Sequence, residues 1–219
     1  MDLELISKLC VFACSLFGFC FGAVVFLAKK SPLYSKMITG AVGCMMLGSL
    51  LAVVRRFAGF EERAFQIDQL AIIGVFLFFF TANVGIMDGL ADDRSKRFAK
   101  YRVMALIAPV VIALLYVPVL FSNAPVLSKV IYGVIALVAA ASSYFNFKHA
   151  VFPDVDFGVI ACVRGYNWLA FGYAVLYAGT VAARVFELDV ICFILSLLIC
   201  CDVVLILPLL KRGIEKWRI

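Results

Sequence analysis

Apolar residues run along this chain in seven stretches separated by short polar punctuation: Leu9 to Ala28, Met37 to Val54, Gln69 to Leu90, Val103 to Phe121, Val130 to Phe147, Phe157 to Ala183 and Val190 to Leu210. A bilayer core of about 30 Å needs roughly 20 apolar residues per helix, so each stretch predicts a membrane-crossing helix. The expected fold is all-α, a polytopic helical bundle of seven transmembrane helices, with residues 1–219 forming a single integral membrane domain. Pro32, Pro125 and Pro153 fall between stretches. Pro109, Pro118 and Pro208 fall inside them, where each lacks a backbone donor and frees a carbonyl for another partner. The longest polar interruption, Gly89 to Arg102, is far shorter than the roughly 50 residues a soluble module needs. Any chemistry or sensing is therefore expected within the helices or short loops.

Composition sharpens this picture. The chain is 65% hydrophobic and 16% charged, against about 25% charged in soluble domains, so a water-soluble surface cannot be built from it. Asp2, Glu4 and Lys8 precede the first stretch in place of a basic leader, so that stretch is read as a retained helix. The net charge of +6 reads as orientation before nucleic-acid binding, because cytoplasmic loops retain Lys and Arg. Thirteen basic residues fall on the side holding the first, third and fifth loops and the C-terminus; six fall on the other, with Arg164 inside a stretch. The N-terminus is expected outside and the C-terminus in the cytoplasm, with Arg55, Arg56 and Arg63, beside Glu61 and Glu62, as the exceptions on the outer side. The eight cysteines lie in or beside apolar runs with no CxxC pair, and there is one histidine. Neither a disulfide framework nor a metal or cofactor site is expected.

One internal echo bears on architecture. Ser35-Lys36-Met37-Ile38-Thr39-Gly40 resembles Ser128-Lys129-Val130-Ile131-Tyr132-Gly133, and the same 93-residue offset carries the first stretch onto the fourth. This raises a 3+3+1 arrangement whose halves are inverted, as in many transporters, with chance similarity of short apolar segments as the alternative.

Candidate functional positions are the exceptions to the apolar rule. Gly158, Gly165, Gly172 and Gly179 recur every seven residues and form a helical stripe suited to close packing. Gly18 and Gly22, and Gly85 and Gly89, share the small-xxx-small spacing. Tyr166, Tyr173 and Tyr177 lie on another face of the sixth helix and suit either packing or a small-ligand pocket. Stranding a charge in hydrocarbon costs at least about 2.5 kcal/mol, so Arg164 and Asp202 stand out; their similar distances from the predicted inner boundary suggest a salt bridge. In the third helix Gln66, Asp68 and Gln69 lie near the outer end, Thr81 and Asn83 deeper, and Asp88 at the inner edge. That face suits either a polar path or inter-helix hydrogen bonds, which Asn146 and Asn167 could join.

The third loop interleaves Arg94, Lys96, Arg97, Lys100 and Arg102 with Phe98 and Tyr101. Anionic lipid head groups are its expected partner, at about 1 kcal/mol per basic residue. A small-molecule ligand and a membrane partner or second copy are further expected partners; nucleic acid is not. Leu47-Gly48-Ser49-Leu50-Leu51 and Phe79 to Asn83 resemble parts of the small lysoplasmalogenase-like membrane family, with Ser49 standing where that family has an acid. The resemblance implies a membrane-embedded lipid hydrolase, yet no HExxH, GxSxG or nucleophile and base pair accompanies it, and no catalytic residue is assigned. The leading reading is a small transporter or channel, ahead of a seven-helix sensor or accessory subunit that signals through the third loop, with the hydrolase third.

Overall fold

The computed structural model describes residues 3–59, 67–84, 88–89, 92, 94–153 and 158–217. These are all helical or connecting, with no strand among them. The helices are α1 (Leu3–Gly22, continued by a π-helical turn Ala23–Leu27), α2 (Leu33–Phe57), α3 (Ile67–Asn83), α4 in two segments (Ala99–Ala105 and Ile107–Phe121), α5 (Val126–Val151), α6 (Val159–Val185) and α7 (Asp189–Trp217). Six are long and apolar enough to cross a membrane, and α3 is a shorter apolar helix of 17 residues. The seven expected crossings thus stand as six plus one shorter helix. Gln66, Gly85 and Arg63, together with the expected helix ends at Leu90 and Phe157, lie outside the described residues.

The prolines explain the irregularities. Pro109 has no N–H for the Ala105 carbonyl, and α4 breaks one turn earlier at Leu106, where the backbone closes through Leu106 N–H to Val103 O at 3.0 Å. Pro32 and Pro125, extended and 93 residues apart, immediately precede α2 and α5. At the end of α1 the Ala28 N–H reaches back five residues to Ala23 O at 2.8 Å, the signature of a π turn.

Successive helices run in opposite directions, because the start of α1, the end of α2, the starts of α3, α5 and α7 and the end of α6 all meet around one cavity. In sequence order α1, α2 and α3 form a row, α3 packs on α5, and α4, α5 and α6 form a triangle; α7 packs on α6 and α1 and closes the bundle. The core runs through Ile38, Val42, Val75, Phe76, Phe79, Tyr166, Ile206 and Leu207, all fully buried. Many leucines and valines are instead exposed, such as Leu114, Leu137 and Val190. That inversion suits a hydrocarbon solvent.

Glycines set the closest approaches. A β-carbon on Gly22 would stand 2.7 Å from Leu207 and 2.8 Å from Thr39, and one on Gly18 3.2 Å from Val42. Gly165, Gly172 and Gly179 face Leu209, Asp202 and Leu195 of α7 at 3.7, 3.6 and 3.6 Å, so the two helices advance past each other in matched steps of seven. Gly158, expected in the same packing stripe, is the residue before α6 and has φ of +67°, a left-handed conformation that costs other residues strain. Its role is to start the helix. Gly89 has no neighbour within 4 Å of a β-carbon position. Among the described residues the tightest glycine is Gly213, where a β-carbon would collide with the Cys162 carbonyl oxygen.

The expected Arg164–Asp202 salt bridge does not form. Arg164 donates from Nη2 to the Phe152 carbonyl at 2.9 Å, while Asp202 lies against Gly172. The helix register explains this, since Gly172 is eight residues beyond Arg164, about 12 Å along the axis. The expected inner end of α7 at Leu210 was also short, for the helix continues to Trp217 and leaves Asp202 near its middle.

Candidate functional site

Two polar regions occupy opposite ends of the bundle. At the end bearing the N-terminus, a cavity of about 140 Å³ is lined by Lys8, Ser49, Arg55, Asp68, Gln69, Tyr132, Tyr173, Tyr177, Thr180, Arg184 and Ser196, with Met45, Ile72, Ile199 and Val203 among its apolar walls. Tyr173 and Tyr177 are one turn apart on α6, so their rings stack at 6.4 Å with planes 19° apart. Phe76 of α3 holds both rings, at 5.8 and 6.0 Å. Gly48 allows α3 to approach, because a β-carbon there would stand 2.9 Å from that of Ala71. Arg55 Nη1 meets Asp68 Oδ1 at 3.2 Å and Lys8 meets Glu4 at 2.6 Å, one bridge between helices and one within α1. Arg184, at the rim, is exposed. The lining therefore offers three cations against one carboxylate, above a floor of aromatic rings. Such a site can hold a small, partly planar molecule by stacking and by polar contacts at its mouth.

Hydrolytic chemistry finds no support in this cavity. Ser49 Oγ lies 2.8 Å from the Met45 carbonyl and 3.1 Å from Ser15 Oγ, and among the described residues no hydrogen bond joins it to a carboxylate or imidazole. A nucleophile needs such a base within reach.

At the opposite end, Asn83 sits at the centre of a buried network. Its Nδ2 donates to Asn146 Oδ1 at 2.6 Å and to the Phe79 carbonyl at 3.1 Å. Its Oδ1 lies 2.9 Å from both the Tyr166 hydroxyl, which donates to it, and His149 Nδ1. Asn146 in turn donates to Ser142 at 3.2 Å. His149 Nε2 lies 3.2 Å from Asp88 Oδ1. Lys148 bridges Asp88 at 2.6 Å and Asp92 at 2.8 Å, and Arg102 holds Asp92 at 2.7 Å while donating to the Ser95 carbonyl at 2.6 Å. This network ties the ends of α3 and α5 to the starts of α4 and α6. Burial opposes the charge on Asp88, but the hydrogen bonds from His149 and Lys148 outweigh it, so its carboxyl titrates below the usual carboxylate range.

Between the two regions the core is apolar. Val75, Phe76 and Phe79 are fully buried on α3, between Gln69 in the cavity and Asn83 in the network. The expected polar face of the third helix is thus divided: Asp68 and Gln69 line the cavity, Asn83 anchors the network, and Thr81 is exposed with its hydroxyl donated to the Leu77 carbonyl at 2.9 Å. The tyrosines divide likewise, Tyr173 and Tyr177 to the cavity and Tyr166 to the network. Asn167 donates to the Val163 carbonyl at 3.1 Å within its own helix, and its Oδ1 has no partner.

Sequence reasoning singled out neither His149 nor Lys148, because the apolar run of α5 ends at Phe147. The available signal was charge: Asp88 lies at the inner edge of the third stretch and Asp92 just beyond it, and Lys148 follows the fifth on the same predicted side. In the third loop Arg94, Lys96, Arg97 and Lys100 are exposed, whereas Arg102 turns inward and Phe98 packs against Phe152 at 5.1 Å. No protein-family model, curated protein or solved structure matches the chain.

Proposed function

We propose that the chain is a small membrane transporter that takes a small molecule into the tyrosine-floored cavity, in a conformation open toward the N-terminal end and closed at the other. The observation that carries this reading is the asymmetry of the bundle: a polar cavity at one end, an apolar layer at Phe76 and Phe79, and a hydrogen-bonded cross-helix network beyond it. Alternating access needs such a pair of unequal ends. The 3+3+1 reading fits the same picture. Pro32 and Pro125 occupy equivalent places, while the first triplet of helices packs as a row and the second as a triangle. Two inverted repeats held in different conformations would look this way, and exchanging those conformations would open the opposite end. The charge pattern of the loops supports placing the N-terminus outside, which makes the cavity extracellular.

The test is uptake by the reconstituted full chain of a panel of radiolabelled amino acids, sugars and small organic anions. Saturable flux that Tyr173→Ala and Gln69→Ala reduce at least about tenfold, roughly 1.4 kcal/mol of binding, is expected. Tight vesicles with no flux for any member of a broad panel would overturn the reading. The sensor reading is second. One observation favours it: Arg94, Lys96, Arg97 and Lys100 present exposed charge beside a network into which Arg102 of the same segment is bonded. Ligand binding without flux, together with a changed surface at this segment, would select it.

A further inference from the structure

The closed end contains one side chain whose hydrogen bonds require a particular number of protons. The orientation of the Asn83 amide is fixed by its surroundings. Its nitrogen faces two oxygens, the Phe79 carbonyl at 3.1 Å and Asn146 Oδ1 at 2.6 Å, and flipping it would set two acceptors against each other. Asn83 Oδ1 therefore accepts, and it accepts from Tyr166. His149 Nδ1, 2.9 Å from the same oxygen, makes a hydrogen bond only if it carries a proton. On the other side of the ring, Nε2 faces Asp88 Oδ1 at 3.2 Å, a carboxylate that Lys148 also holds at 2.6 Å. That nitrogen too must donate. A neutral imidazole has one N–H, so either neutral tautomer leaves a ring lone pair facing an oxygen lone pair. The imidazolium alone makes both bonds.

We infer that His149 is the proton-binding site of a pH-responsive latch: taking up a proton joins the end of α5 to α3 through Asn83 and Asp88, and losing it to water at that end releases one of the two bonds. The ring is fully buried, so each mismatch is felt without relief from solvent. The charged groups around it are accounted for on every side: Asp88 beyond α3, Lys148 on α5, Asp92 in the loop and Arg102 on α4, with Tyr166 as the titratable group on α6. Arg102 and Lys148 already balance the two carboxylates, so the added proton puts one net positive charge into the cluster. Acid closes this end, and alkali loosens it. The protonation switch stands independently of the transporter reading; only its use as a gate rests on that reading.

His149 is the one histidine of the chain, so labelling with ¹⁵N-histidine gives a single site in the spectrum. Solid-state NMR of the full chain in lipid distinguishes imidazolium from either neutral tautomer. Titration between about pH 5 and 8 is expected to show two N–H signals on the acid side, replaced by a neutral tautomer on the alkaline side. Over the same interval the thermal midpoint is expected to change as the ring titrates. Asp88→Asn keeps an oxygen for Lys148 but removes the negative charge that faces the imidazolium, so it should move both changes to lower pH. A ring that stays neutral throughout, or one that titrates with no change in midpoint, would overturn the latch. The spectrum of the unaltered protein decides the point even if the variant fails to fold. Failure of the flux test with a titrating His149 would retire the transporter reading alone.

Discussion

Asp202 of α7 rests against Gly172 of α6, with its Oδ1 3.6 Å from where a β-carbon would stand and its Oδ2 without a hydrogen-bond partner. The side chain is 6% exposed, in the middle of a helix long and apolar enough to cross a membrane, and no ion pair reaches it among the described residues. A lone carboxyl at such a position contributes no pairing energy and carries a desolvation cost. Asp202→Asn keeps the shape and removes the ionisable group, so the thermal midpoint is expected to stay unchanged or rise. Unfolding of the purified variant in lipid nanodiscs measures it. A fall of several degrees would show that the carboxylate has a partner in the folded protein.

The close approach of α7 to the start of α6 makes a second prediction. Gly213→Ala would drive a methyl group into the Cys162 carbonyl oxygen, a backbone atom that cannot rotate away. Overpacking of this kind costs about 1–3 kcal/mol or more, and the upper end is expected here because two backbones must separate. Gly165→Ala is the control, with its nearest neighbour, the Leu209 β-carbon, at an ordinary 3.7 Å. Thermal unfolding of the two variants side by side should show a large loss for the first and little for the second.

The helices and their order were legible because hydrocarbon demands long apolar runs, and those runs are what the chain displays. Lateral register was not legible. The apolar run that sets the apparent depth of Asp202 ends at Leu210, whereas α7 runs seven residues further to Trp217 through Lys211, Arg212 and Lys216, which look like a loop in sequence. Depth alone also cannot say that Gly165 meets Leu209 and Gly172 meets Asp202, an alignment fixed by packing. Tyr173, Tyr177, Asp68 and Gln69 were recognisable as polar exceptions, but Lys8, Arg55 and Arg184, which share their cavity, resembled ordinary loop charges. His149 and Lys148 were hidden for a related reason, since they lie in the last turn of α5, beyond its apolar run, and gain meaning only when α3 packs beside it.

Asn83 is predicted to be the most sensitive polar position in the bundle. Its amide serves Asn146, Tyr166, His149 and the Phe79 carbonyl, and it is fully buried. Asn83→Ala leaves several buried groups unpaired at once, and each such group costs about 1–3 kcal/mol. A loss of about 3 kcal/mol is expected, large enough to reduce folded yield. Asn167→Ala, which removes an amide that donates to the Val163 carbonyl of its own helix, should cost about 1 kcal/mol or less. Denaturation of both in mixed micelles compares them, and equal losses would show that the network is not a unit.

Acid should undo the same end of the bundle in a window separate from that of His149. Asp88 is half-buried, which disfavours its charge, yet the hydrogen bonds and charges of His149 and Lys148 more than offset this and hold its carboxyl below the ordinary value of 3.8. A group depressed in the folded state stabilises above its unfolded value and loses that contribution as pH falls through its folded one. Stability tied to Asp88 is therefore complete above about pH 4 and declines below it. The loss is modest because solvent reaches the carboxylate and screens it. Thermal midpoints of the unaltered protein and Asp88→Asn, measured from pH 6 down to pH 3, should differ most at the upper end and converge as the carboxylate protonates. A gap that widens toward pH 3 would mean that Asp88 is held as the neutral acid.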